Sequence, residues 1–329
     1  MPLRVVETRQ VLQILVIFMI VQFFGLLLAA LVYSGTTYQQ VSGAELLTSA
    51  SSALFYIAYI IIFSAVLVLI MKFYNGDKFF LILEGVAIFI SSFFVFMVLS
   101  GLVNNVVLFT AYGSAITTNF IVGVIAALVL IVLKNKFPVL RNTATIIASA
   151  GIGLVLGISF SFLVALVFMM IMAVYDFIAV FITKHMVTMA KAMSSRNLAF
   201  LVGVNEVEAV PKGSFTKSQV LEFQRDMKGV RLNQTLANLY RQGLLPIAAR
   251  MELGAGDLII PLMVAIAAYK VFLSFTLSFF IIFGAVAGLL LTAQILKSYK
   301  RPLPAIPPLL FGVAAGMLAY ALIFGVVPL

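Results

Sequence analysis

The chain has no cysteine and a single histidine, His185, among its 329 residues. Without thiols there is no disulfide, no thiolate metal site and no cysteine nucleophile. A zinc site would need mostly carboxylate ligands, unlike the nitrogen and sulfur sets that zinc prefers. No metal or cofactor is therefore expected. Charge is scarce as well: 10% of the residues are Asp, Glu, Lys or Arg, against about 25% in soluble domains. With 64% hydrophobic residues and a mean hydropathy of +1.20, the chain reads as a polytopic membrane protein.

Apolar windows long enough to cross a bilayer fall at 11–33, 52–71, 79–101, 117–133, 143–159, 162–183, 253–271, 274–296 and 304–327. The first exceeds the apolar core of a signal peptide and lacks a small-residue cleavage site, which predicts a retained span. The uncharged run 143–175 continues to Thr183. As one helix it would extend about 60 Å, twice the hydrocarbon thickness. It is therefore expected to fold into two spans, turning near Gly157-Ile158-Ser159. Residues 101–116 are apolar enough to dip into the membrane.

The fold class expected is all-α, with nine transmembrane helices, and the basic residues orient them. Of the 21 Lys and Arg residues, 20 fall in the N-terminus and in the second, fourth, sixth and eighth connections; only Lys270 lies on the opposite side. That segregation predicts a cytoplasmic N-terminus and an outside C-terminus. The net charge of +10 is thus a topogenic signal with some attraction to anionic headgroups, and nucleic acid is not an expected partner.

Three regions follow: spans one to six over 1–183, a polar cytoplasmic connection over 184–250, and spans seven to nine over 251–329. The connection holds Pro211-Lys212-Gly213-Ser214, which reads as a loop. A helical piece is expected around 217–240 and a short strand over 198–204.

Two aspartates interrupt otherwise uncharged apolar stretches: Asp176 in Val174-Tyr175-Asp176-Phe177, and Asp257 in Gly254-Ala255-Gly256-Asp257. An acid inside a membrane helix is costly and is usually kept for function. Asp176 lies eight residues before Lys184, and Asp257 seven after Arg250, which places them roughly 12 and 10 Å below one face. Consecutive antiparallel spans are commonly neighbours, so the carboxyl groups can meet. Two such groups in a low-dielectric site share one proton. The ionised member can take a proton from a water attacking an amide carbon, while the protonated member donates to the carbonyl oxygen. A peptide bond can be hydrolysed this way without metal or cofactor.

The surroundings fit such a site. Gly254 and Gly256 let backbone, water or substrate come close to Asp257. Tyr175 either hydrogen-bonds near the pair or packs against a neighbouring helix. The ninth span opens with Arg301-Pro302-Leu303-Pro304-Ala305-Ile306-Pro307-Pro308. Prolines at a helix start need no special purpose, yet this run lies near the depth of the aspartates and is a candidate wall of the site.

Tyr-Asp in span six, Gly-x-Gly-Asp in span seven and a Pro-Ala-Leu-like motif opening span nine resemble the presenilin and signal peptide peptidase family of intramembrane aspartyl proteases. The resemblance implies that Asp176 and Asp257 form the catalytic dyad. It also implies that Pro304-Ala305-Ile306, with Ile306 in place of leucine, shapes the site. It further implies cleavage of single transmembrane helices, and an extended substrate pairing with strands near the site, for which 198–204 and 247–253 are candidates. The orientation matches presenilin-like members, which favour type I substrates, and a multi-pass cell-membrane protein if the source is prokaryotic.

The competing reading is an ion or proton transporter or channel using the paired acids; the missing internal repeat and the few other polar residues in the spans weigh against it. Prepilin-type peptidases share a Gly-x-Gly-Asp-like site but do not predict the other motifs together. Pepsin-like chemistry is excluded because no Asp-Thr/Ser-Gly occurs. Gly151, Gly153 and Gly157 mimic a nucleotide-loop spacing but are expected to pack helices, Glu84 is expected to reach the cytoplasmic interface, and His185 to lie at the membrane edge.

Overall fold

Within a bilayer every main-chain N–H and C=O must find its partner inside the protein. In the computed structural model the described apolar stretches do so as helices. The structure describes residues 8–34, 77–102, 107–111, 114–137, 139–182, 201–211, 244–299 and 303–325. In chain order these form α1 (Thr8–Ser34), α2 (Asp77–Ser100), strands β1 (Val107–Ala111) and β2 (Ser114–Thr117), α3 (Thr118–Lys136) and α4 (Leu140–Ser159). Then come α5 (Phe162–Phe177), β3 (Leu201–Pro211), β4 (Leu244–Gly254), α6 (Ala255–Phe272), α7 (Phe275–Tyr299) and α8 (Ile306–Phe324).

Among the described residues, eight helices are long and apolar enough to cross a membrane. They coincide with eight of the nine expected spans. The second, 52–71, lies outside the described residues, as do His185 and the helix expected over 217–240. The long uncharged run divides where expected: α4 ends at Ser159 and α5 starts at Phe162, with the Ser161 hydroxyl accepting from the Val164 N–H. The 101–116 stretch contains an antiparallel hairpin, β1–β2, whose second strand runs straight into α3. β3 and β4 form a second hairpin in continuous register from Leu201↔Gly254 to Pro211↔Leu244. Both expected strands are present and run further. β3 continues past Val204 to Pro211 through polar Asn205, Glu206 and Glu208, and β4 starts three residues before Ile247 and ends one after Leu253. Residues 198–200 of the first lie outside the described residues.

The core is organised around α6. A helix that is apolar on every side belongs in the middle of a protein, and α6 is buried continuously from Leu258 to Tyr269, apart from the half-buried Ile259. It packs against α1, α4, α5 and α7, and more lightly against α8. Gly153 and Gly157 on α4 give it room. A Cβ at Gly153 would lie 2.6 Å from Leu262 Cδ2, and one at Gly157 2.6 Å from Ile266 Cβ. The α4 glycines are therefore helix-packing residues, with Gly151 seated on the Ser91 carbonyl of α2. Outward faces carry apolar side chains such as Leu81, Ile82, Val86 and Ile90 of α2, as a lipid-facing surface requires. Buried hydroxyls bond back along their own helices, Ser92 to Ile88 (2.6 Å) and Thr145 to Arg141 (2.9 Å) among them.

Glu84 has a partner inside the protein. It is fully buried on α2 and ion-paired to Lys134 of α3 at 2.7 Å. Removing one member of a buried pair costs about 3–5 kcal/mol, whereas replacing both with apolar groups is often neutral. Lys134→Met should therefore lower the melting temperature in detergent markedly, and adding Glu84→Leu to it should restore most of the loss. Equal melting temperatures for wild type and Lys134→Met would contradict this account.

Candidate active site

The described part of α5 ends in a change of helical geometry. After Phe177 the chain continues as a wider π turn over Ile178–Ile182, a local feature often found at functional positions. Asp176 occupies the turn before that change, 2% exposed. Tyr175 beside it is half-buried.

Asp257 sits at the other end of a helix. Gly254 caps α6 in an extended conformation (φ −66°, ψ 142°), which makes Asp257 the third helical residue. From that position a short acid can fold back on the cap residue's own N–H, the acidic half of a capping box. The Gly254 main-chain N–H does donate to the Asp257 carboxyl group. A Cβ on Gly254 would lie 3.2 Å from Asp257 Oδ2, tighter than an ordinary contact. Gly256 has a different surrounding: a Cβ there would meet nothing within 4 Å. One glycine of the motif is thus held against the carboxyl, and the other faces open space beside it. Pro261, four residues on, has no N–H, so the Asp257 carbonyl receives no helical hydrogen bond from it.

The third contributor is the start of α8. Pro304, Ala305 and Ile306 are buried, and the Ile306 N–H donates to Asp176 Oδ2 at 3.1 Å. The Ala305 N–H is directed at the same carboxyl. Helix N-termini bind anions because their first N–H groups have no helical acceptors. Here the following two residues are Pro307 and Pro308, which bring no N–H of their own. The first turn of α8 therefore presents its donors to Asp176 and carries few others needing satisfaction in an apolar setting. The proline-rich run thus meets the carboxyl group through the main-chain donors of Ala305 and Ile306.

α5 packs against both α6 and α8, and Asp176 and Asp257 interact electrostatically across that junction. Thus Asp176, Asp257, Gly254 and the Ala305-Ile306 turn converge on one place. Gln22 also belongs to these surroundings and was not singled out from the sequence. It is fully buried on α1, and its Nε2 donates to the Leu258 carbonyl, one residue past Asp257, at 2.9 Å. A polar residue amid apolar ones in span one was its only signal.

A family model described as "Signal-peptide peptidase, presenilin aspartyl protease" matches residues 15–326. No curated protein gives a significant match. Among solved structures, the chain is similar to a presenilin family intramembrane aspartate protease in two crystal forms. The C222 form is 20% identical with a TM-score of 0.56, covering 94% of this chain and 95% of that one. The P2 form is 21% identical with a TM-score of 0.58, covering 95% and 97%.

Proposed function

Since the chain belongs to the signal-peptide peptidase and presenilin family of aspartyl proteases, we propose that it is an endopeptidase cutting peptide bonds within transmembrane helices, with Asp176 and Asp257 as its catalytic pair. The observation that carries the reading is the junction of α5 and α6 under the first turn of α8, where both carboxyl groups interact.

The pair holds one proton. Its ionised member removes a proton from water as the water oxygen bonds to the amide carbon, and its protonated member gives its proton to the carbonyl oxygen. The resulting gem-diol collapses when the amide nitrogen gains a proton, the C–N bond breaks and an acid and an amine leave. The open space beside Gly256 offers the scissile bond an approach to Asp257. The Pro304-Ala305-Ile306 turn holds Asp176 in place, and Tyr175 borders the pair.

A helical substrate must unwind before its amides can be attacked. Its extended segment then gains main-chain partners by lying along the β3–β4 hairpin, which leads into Gly254. Nine spans with a cytoplasmic N-terminus and an outside C-terminus put the pair near the cytoplasmic face and favour type I substrates. In this arrangement 1–183 and 251–329 are the membrane regions, and 184–250 is the cytoplasmic connection.

In detergent, the purified protein should cleave a fluorescently labelled type I transmembrane peptide. A peptidomimetic with a central hydroxyl, which mimics the gem-diol, should inhibit it at concentrations at least about a hundredfold below the substrate's KM. A protein that binds neither compound but moves protons or cations across vesicles would be a transporter instead.

A further inference from the structure

Asn142 stands in the first turn of α4, far in sequence from both aspartates, yet it holds the strand that pairs with the approach to Asp257. Its Nδ2 donates to the Gly203 carbonyl at 3.0 Å, and its Oδ1 accepts from the Gly203 N–H at 3.4 Å. A side-chain amide has the donor and acceptor of a peptide unit, so Asn142 occupies Gly203 as one residue of a neighbouring strand would.

The direction of these bonds has a consequence. In an antiparallel pair the N–H and C=O of a given residue point to the same side, alternately toward and away from the partner strand. Both groups of Gly203 face Asn142, so Gly203↔Glu252 is a pair without mutual hydrogen bonds, and Val202↔Leu253 and Val204↔Met251 carry the ladder. Val202 and Leu253 are also buried in the core. The outer edge of β3 is therefore closed by Asn142 at this level. The same bonds fix Leu201↔Gly254, the last pair before α6 begins and Asp257 follows.

Resting on the protease reading above, we propose that Asn142 is a positioning residue. It latches β3 to α4, closes that edge of the hairpin to an incoming strand, and so sets the register in which an extended substrate segment reaches Asp257. It acts through Gly203 and touches neither carboxyl group in this account.

The test compares wild type with Asn142→Ala and Asn142→Asp, using a labelled transmembrane peptide, mass analysis of the product ends, and hydrogen exchange of segment 201–205. The two lost hydrogen bonds predict a fall in kcat/KM of about tenfold for Asn142→Ala. The fall should appear mainly in KM, with cuts spread over neighbouring bonds and faster exchange at Gly203. Asn142→Asp keeps the acceptor for the Gly203 N–H but turns a carboxylate oxygen on the Gly203 carbonyl, so its product pattern should be at least as spread as that of Asn142→Ala. Unchanged product ends and unchanged exchange in Asn142→Ala would overturn the proposal. So would a loss of rate that follows melting temperature alone with the cut position intact. A wild type that cleaves nothing would instead defeat the protease reading, and exchange at 201–205 would still decide whether the latch exists.

Discussion

Asp176→Asn and Asp257→Asn are each expected to reduce cleavage by on the order of 10²–10⁴-fold while the protein keeps its fold. The exchange is nearly isosteric. In Asp176→Asn the side-chain oxygen can still accept from Ile306, and in Asp257→Asn it can still accept from Gly254, so helix starts and packing are retained. What disappears is a group that gives and takes a proton within one catalytic cycle, and an amide cannot replace it. The double variant should be no worse than either single one, because the two groups act as a unit. For the same reason the wild-type rate should fall on both sides of an optimum pH, where the pair carries two protons or none. The decisive measurement is peptide cleavage by each variant, together with its melting temperature in detergent. Near wild-type turnover by either variant would remove the mechanism.

Gly312→Val should also lower activity, although it lies six residues along α8 from Ile306. α7 and α8 cross through Gly284, Gly288, Gly312 and Gly316, with main chain against main chain. A Cβ at Gly312 would collide with the Gly284 carbonyl, and Gly288 N would be 2.8 Å away. These neighbours are backbone atoms of a packed helix, so no rotamer change relieves the clash. Overfilling of this kind costs about 1–3 kcal/mol or more, and here the relief available is to push α8 outward. That movement draws the Ile306 N–H away from Asp176. Both melting temperature and cleavage should fall, the latter by about tenfold or more. Gly85→Ala, where a Cβ would meet nothing within 4 Å, is the matched control and should leave both unchanged. If Gly312→Val and Gly85→Ala behave alike, α8 does not depend on this crossing.

The spans were legible because lipid imposes a one-dimensional rule: long uncharged runs cross, and lysines and arginines collect between them. That rule placed the break between α4 and α5 within a few residues of where it falls, at Phe160–Ser161, and put Asp176 and Asp257 on the helix ends that meet. Glu84 shows where the rule stops. Its place in the chain gives no sign of its partner, because Lys134, which pairs with it inside the protein, arrives 50 residues later on α3. Asn142 and Gln22 are illegible for a related reason. Each acts on a main-chain group of a distant segment, Gly203 and Leu258, and main-chain groups are the same in every sequence. The proline-rich run was recognisable as unusual, but its use depends on which N–H groups remain after Pro307 and Pro308 have removed theirs.

That subtraction also shapes what the site is made of. Asp176 is met by peptide dipoles at the mouth of α8, and among the described residues no lysine or arginine is seen to pair with it. A cationic side chain would drag hydration and lipid phosphate toward the hydrocarbon layer. An amide dipole anchored in a helix brings neither. An acid can thus stand inside an oily environment while leaving that environment nearly undisturbed.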